Sequence, residues 1–157
     1  MFVGPLGQSS IVAATRTAEV NSSMGGDMDS WKSQGNSAGR KRVLVVEDEL
    51  MIRMLLQDML DDLGHTLAGE AGRIDEAMML AKQAEFDVAI LDVNLNGEPI
   101  SPVVEVLVQR GLPFVFATGY GQRGVPEPYR RTPTLQKPFQ ADALAQALEA
   151  AVPRRRN

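Results

Sequence analysis

The sequence contains no cysteine and a single histidine, His65. Without thiols it can build no disulfide framework, no thiolate nucleophile and no Cys-ligated zinc centre, and one imidazole cannot make a histidine-rich site. Long apolar runs are missing too. Nothing approaches the roughly 18 residues that a membrane-spanning helix needs, and Met1 to Gln8 carries no basic stretch ahead of an apolar core. A soluble, cytoplasmic protein with no membrane partner is expected. The 157 residues, 44% of them hydrophobic, suffice for one compact domain with some tail and are few for two. Carboxylates are left as the reactive or metal-binding groups.

Charge is unevenly spread. Val43 to Val152 holds 17 acidic and 8 basic residues, net −9, whereas the flanks hold 3 and 8, net +5. An acidic core argues against nucleic acid as the main partner. The basic clusters Arg40, Lys41, Arg42 and Arg154, Arg155, Arg156 are read as solvated end-charges. Residues 1 to 39 are rich in Gly, Ser, Asn and Met and show no period of 2 or 3.6, so a disordered leader is expected there. A folded domain over residues 40 to 152 and a basic tail over 153 to 157 complete the expected organisation.

Within that domain short apolar runs alternate with amphipathic segments. Val43-Leu44-Val45-Val46 has the pattern of a strand buried on both faces. Ile52, Leu55, Leu56, Met59 and Leu63 then form one helical stripe, with Gly64 placed to end it. A second strand is expected over Thr66 to Ala71, before a helix striped by Ile74, Ala77, Met78 and Ala81. The third, Phe86 to Leu91, ends at Asp92; Ser101 and Pro102 read as N-cap and first position of a helix running to Arg110, with Gly111 behind it. A fourth strand, Pro113 to Ala117, ends at Thr118, and a fifth, Thr134 to Gln136, ends at Lys137. Ala141, Leu144, Ala145, Leu148 and Val152 stripe a last helix, stopped by Pro153. Pro126, Pro128 and Pro133 interrupt Gly119 to Pro133 too often for an ordinary helix, so a short or mobile segment is expected there. The alternation implies a doubly wound five-stranded parallel sheet with helices on both faces, with ligands beyond the carboxyl ends of its strands.

The polar residues that interrupt the apolar runs fall at those ends: Glu47 and Asp48, Asp92, Thr118, and Lys137. Carboxylates gathered there repel one another unless a cation shares the site, and an all-oxygen donor set suits Mg²⁺. Phosphoryl transfer needs positioning and charge neutralisation rather than elaborate covalent machinery. In that reading Glu47, Asp48 and Asp92 hold the metal, Asp92 is the nucleophile, Thr118 gives a hydroxyl and Lys137 a point-charge ammonium.

The order of acid pair, Asp, Thr and Lys-Pro, carried by Val45-Val46-Glu47-Asp48-Glu49, Leu91-Asp92, Ala117-Thr118-Gly119 and Lys137-Pro138-Phe139, resembles the receiver domain of two-component response regulators over about Lys41 to Val152. The resemblance implies a flavodoxin-like fold, Asp92 as phosphoacceptor, Glu47 and Asp48 as metal carboxylates, Asn94 as a ligand through its backbone carbonyl, and Thr118 and Lys137 as phosphoryl contacts. It implies a sensor histidine kinase or histidine phosphotransfer protein upstream and an effector protein downstream. The stretch after Val152 is too short for an output domain, so output in trans is expected. Asp92-Val93-Asn94-Leu95 and Pro113-Phe114-Val115-Phe116-Ala117-Thr118-Gly119-Tyr120 resemble more narrowly the single-domain subgroup known by its Phe-Ala-Thr-Gly motif. Two features depart from the general pattern. Thr134 stands where the family usually has its switch aromatic, leaving Tyr120 as the nearby substitute, and the fourth helix is shortened or irregular.

The same residues admit other readings. An Asp after a strand is often a turn residue, and Glu47 and Asp48 could simply favour the following helix dipole. Gly119-Tyr120-Gly121-Gln122-Arg123-Gly124 fits a dinucleotide-binding pattern but runs straight into Pro126 instead of opening a helix. A Mg²⁺-dependent phosphatase of the haloacid dehalogenase type would use similar groups, with its nucleophile in an early Asp-x-Asp motif and its acids last. A pseudo-receiver, binding protein without phosphorylation, is the remaining alternative. His65 is read as structural or exposed, and the methionines as adaptable core and helix surface.

Overall fold

A computed structural model gives the fold of residues 39–153. The leader expected over residues 1–39 and the tail over 153–157 therefore lie, but for Gly39 and Pro153, outside the described residues. Strands β1 (Arg42–Val46), β2 (Thr66–Ala71), β3 (Val88–Asp92), β6 (Phe114–Thr118) and β7 (Thr134–Gln136) form one parallel sheet in the order β2-β1-β3-β6-β7. Helices α1 (Leu50–Asp62), α2 (Ile74–Gln83), α3 (Ser101–Arg110) and α4 (Ala141–Ala151) connect and cover it. This is the doubly wound arrangement the alternation implies. A two-stranded hairpin, β4 (Asn94–Leu95) and β5 (Glu98–Pro99), is inserted after β3.

Side-chain alternation along the strands builds two cores. Val43 and Val45 of β1, Val88 and Ile90 of β3, and Val115 and Ala117 of β6 face one side, where Leu56 and Leu60 of α1 and Leu144 and Leu148 of α4 meet them. Leu44, Val46, Ala89, Leu91 and Phe116 face the other, against Ala77 and Ala81 of α2 and Val103, Val104 and Leu107 of α3. Every one of these residues is buried, which explains why the strands read as unbroken apolar runs. Opposite β1, β2 carries a bulge: Val43 pairs with Leu67 and Leu44 with Gly69.

The irregular stretch after β6 becomes two 3₁₀ turns, Gly121–Gly124 and Glu127–Tyr129, in place of a fourth crossover helix. Buried Val125 and the Tyr129 ring, 6.1 Å from Phe114 and 6.3 Å from Phe116 by centroid, seal that side. Among the described residues no helix is long and apolar enough to cross a membrane.

Three local expectations are corrected. Leu55, placed in the core stripe of α1, is 42% exposed, and Leu60 takes the buried position with Leu56, because the sheet-facing arc lies one step further round the helix. Ser101 is not the N-cap of α3. The cap is the buried Ile100, whose N–H donates to the Val93 carbonyl at 3.1 Å, so the hairpin rather than a side-chain cap starts the helix. In α4 the third buried residue beside Leu144 and Leu148 is Ala147 rather than Ala145. Gly64 (φ 82°) and Gly111 (φ 69°) do end α1 and α3 in the left-handed conformation that glycine supplies.

Candidate functional site

The carboxyl ends of β1, β3, β6 and β7 bring Glu47, Asp48, Asp92, Thr118 and Lys137 to one edge of the sheet. Glu47 follows β1 directly, and its N–H continues the sheet pairing to the Ala71 carbonyl at 2.9 Å, which fixes the side chain inward at 1% exposure. Its Oε1 accepts the Glu49 N–H at 3.1 Å and its Oε2 accepts Lys137 Nζ at 2.5 Å. Lys137 arrives because its N–H donates to the Thr118 carbonyl at 2.9 Å, extending the β6–β7 pairing by one residue. The same ammonium donates to Asp92 Oδ2 at 3.4 Å, while Asp92 Oδ1 accepts the Asn94 N–H at 3.3 Å. Lys137 thus bridges the acids at the ends of β1 and β3 and lies nearer Glu47 than Asp92.

Burial and charge set the protonation of this group. Burial, reinforced by the Asp92 charge, pushes Glu47 up to about 7 against the pull of Lys137 and the Glu49 N–H. Burial likewise raises Asp92, with Lys137 opposing. For Asp48 burial is outweighed by hydrogen bonds with Glu47, the Asn96 N–H and Asp92, which hold it below its ordinary value. Burial lowers Lys137, but Glu47 and Asp92 more than compensate and hold it above the usual lysine value. Near neutral pH Glu47 is therefore divided between its neutral and ionised forms, while Asp48 keeps its charge.

Ligand oxygens of Glu47, Asp48 and Glu49 lie within 4.8 Å of one another. This all-oxygen donor set, beside a buried acid that resists ionisation, fits a hard divalent cation such as Mg²⁺. Glu49, for which no site role was expected, belongs to this carboxylate cluster. Asn94 is exposed, and its side-chain Oδ1 accepts the Gly97 N–H at 2.7 Å, closing the hairpin. The hairpin in turn supplies Asn96, whose N–H donates to Asp48 Oδ2 at 3.1 Å. Asn96 (φ 51°) and Gly97 (φ 87°) form a two-residue turn with both φ positive, for which Asn-Gly is the favoured pair. That dipeptide is the signal that would have revealed the hairpin and Asn96.

Thr118, 3% exposed, accepts the Tyr120 N–H on Oγ1 at 3.1 Å and lies one strand from Asp92, in register beyond the Asp92–Ala117 pair. Accepting leaves a hydroxyl its proton to give. Tyr120 is 83% exposed, and Thr134 donates its hydroxyl to the Thr132 carbonyl at 3.1 Å. His65 stands apart, accepting the Lys41 N–H on Nδ1 at 3.2 Å.

Comparison with known proteins agrees with the fold. Residues 43–149 match the family model described as the response regulator receiver domain. PdtaR, a transcriptional regulatory protein of Mycobacterium tuberculosis, is 37% identical over 126 residues, 78% of this chain; the chain spans only 62% of that relative's length. The chemotaxis protein CheY of Thermotoga maritima is 30% identical over 115 residues, 69% of this chain and 94% of its own. The solution structure of SdrG from Sphingomonas melonis Fr1 superposes with a TM-score of 0.67 at 44% identity, covering 73% of this chain and 98% of that one.

Proposed function

We propose, since this chain belongs to the response regulator receiver family, that it accepts a phosphoryl group on Asp92 and signals by presenting an altered surface to another protein. The observation that carries the reading is the Lys137 ammonium held between Glu47 Oε2 and Asp92 Oδ2 at 2.5 and 3.4 Å. A cation so placed stands over the acid that must gain a dianionic group.

In the proposed reaction a carboxylate oxygen of Asp92 attacks the phosphorus of a phosphohistidine donor. The new O–P bond forms as the P–N bond breaks, and the electron pair remains on the imidazole nitrogen. Lys137 shifts toward the phosphoryl oxygens and Thr118 gives them its hydroxyl proton in a hydrogen bond. The Asn94 N–H, already on Asp92 Oδ1, holds the carboxylate plane. Glu47, Asp48 and Asp92, with the Asn94 carbonyl, are the proposed holders of Mg²⁺, and Glu49 is placed to join them. Bound there, the ion would neutralise charge on the equatorial phosphoryl oxygens. Attack of water on the same phosphorus later restores the carboxylate and releases phosphate, so the chain needs no further catalytic activity. Donor and reader are proposed to be a cytoplasmic histidine kinase or histidine phosphotransfer protein and a downstream effector. Domain limits of 40–152 suit this module. With Thr134 in place of an aromatic and two 3₁₀ turns in place of a helix, the readout is proposed to run through Tyr120 and the turns after β6.

Intact mass after incubation with Mg²⁺ and acetyl phosphate tests this reading, with wild type beside Asp92→Ala. One phosphoryl adduct is expected in the wild type, absent without Mg²⁺ and absent in the variant. An adduct surviving in Asp92→Ala would move the acceptor elsewhere. No adduct from either acetyl phosphate or a phosphohistidine donor would leave a protein-binding module that is not phosphorylated.

A further inference from the structure

Arg53, one turn into α1, is only 18% exposed although it carries a full charge. Its Nη1 donates to the Glu47 backbone carbonyl at 2.8 Å, not to a carboxylate of the site. Its Nε is buried without a hydrogen-bond partner, the Glu70 carboxylate on β2 standing 4.0 Å off. A guanidinium accepts so incomplete a set of partners only where its position is held by something else.

The space it fills is made by Gly72. A Cβ on Gly72 would lie 2.3 Å from Arg53 Nη1 and 3.4 Å from Cζ, yet the Gly72 φ lies outside the left-handed range, so the backbone there does not itself call for glycine. A side chain at position 72 would push the Arg53 tip off the Glu47 carbonyl. Gly72 also belongs to the acid corner from the other side: its carbonyl accepts Asn96 Nδ2 at 3.4 Å, and the Asn96 N–H holds Asp48. An arc therefore runs from the Glu47 carbonyl through Arg53, Gly72 and Asn96 to the Asp48 carboxylate.

We infer that Arg53 and Gly72 form a clasp that positions the Glu47–Asp48 corner to receive a divalent cation, an inference that rests on the phosphoacceptor reading. Arg53 is a positioning residue, tying α1 to the end of β1 against the end of β2. The sign of its effect separates this role from simple charge. As a bare positive charge beside a cation site Arg53 would weaken Mg²⁺ binding, and its removal would strengthen it. As a clasp, its loss weakens binding, in the range of about tenfold seen when groups that orient metal ligands are removed.

The test titrates Mg²⁺ into the full chain by calorimetry for wild type, Arg53→Lys, Arg53→Met, Gly72→Ala and the double variant Arg53→Met/Gly72→Ala, with urea unfolding in chelator alongside. Arg53→Lys keeps the charge but loses the planar fork, so Lys and Met variants should both bind Mg²⁺ about tenfold more weakly. Gly72→Ala should weaken it similarly, and in the Met background should add almost nothing in Mg²⁺ affinity or unfolding, because the clash partner is gone. Binding in Arg53→Met as tight as wild type or tighter overturns the clasp, as does a Gly72→Ala penalty that is equal with and without Arg53. Should Gly72→Ala fail to fold, the two Arg53 variants decide alone. A wild type that neither binds Mg²⁺ nor takes a phosphoryl group instead overturns the phosphoacceptor reading, and the clasp with it.

Discussion

Neutralising Glu47 should stabilise the metal-free domain at alkaline pH, although the substitution removes one half of the closest ion pair in the site. Glu47 is 1% exposed, and its burial raises the carboxyl to about 7 even with Lys137 at 2.5 Å. The folded value lies above the ordinary 4.5, so the stabilisation from holding the proton is complete below pH 4.5 and is lost as pH rises through about 7. At about 1.4 kcal/mol for each pH unit between those values, the loss is about 3 kcal/mol, a large share of the roughly 5–15 kcal/mol by which domains are stable. Glutamine keeps the shape, can still accept from Lys137 and does not titrate. Urea unfolding in chelator at pH 5 and pH 8, for wild type and Glu47→Gln, reads the effect, with His65 present in both proteins. The wild type should lose about 2.5 kcal/mol more than the variant between the two conditions, since part of the span lies below pH 5. Mg²⁺ at pH 8 should restore stability to the wild type more than to the variant, as any ligand that binds only the folded form does. Parallel pH profiles, or a variant that loses more at pH 8 than the wild type, would refute the reasoning and show that the pair with Lys137 outweighs burial.

Lys137→Met should lower the rate of phosphorylation by acetyl phosphate about a hundredfold, the usual loss for a transition-state charge contact, while strengthening rather than weakening Mg²⁺ binding, since a positive charge beside the acids is gone; an intact-mass time course reads the rate. Gly124→Ala places a Cβ 2.6 Å from Thr118 Oγ1 and should cost about 1–3 kcal/mol in urea unfolding, a cost that shrinks in a Thr118→Ala background. Burial and the nearby Lys41 charge hold His65 below its ordinary 6.5, so its contribution to stability is full above pH 6.5 and is lost as pH falls below it. His65→Gln should flatten the stability profile in that window, seen by thermal unfolding between pH 5 and 7.

Much of the sheet could be read from the chain because β1, β3 and β6 are apolar runs cut short by Glu47, Asp92 and Thr118, with Lys137 directly behind β7. Parallel register then brings them to one edge, since strands buried on both faces admit no other place for them. What escaped was whatever depends on distance across the fold. Asn96 reaches Asp48 across 48 positions of sequence, and Arg53 meets Gly72 only because α1 and β2 flank the same strand. Glu49, quoted with the acid pair but given no role there, shares the acid corner. The Ser101 cap failed for a related reason: its local signal was sound, but the hairpin carrying Ile100 into the core decides where α3 begins.

The ends of the sheet protect it from its neighbours in solution by different means. The outer margin of β7 offers only three residues, and Pro133 and Pro138 on either side have no N–H to extend a ladder. At the opposite margin β2 is twice as long, and there the bulge across from Val43 and Leu44 breaks the regular spacing of its hydrogen-bonding groups while Glu70 adds a charge. A second sheet brought alongside would meet too few donors at one margin and a mismatched, charged row at the other. Strands that must be almost wholly apolar to carry an acidic site at their tips are thereby kept from zipping into fibrils.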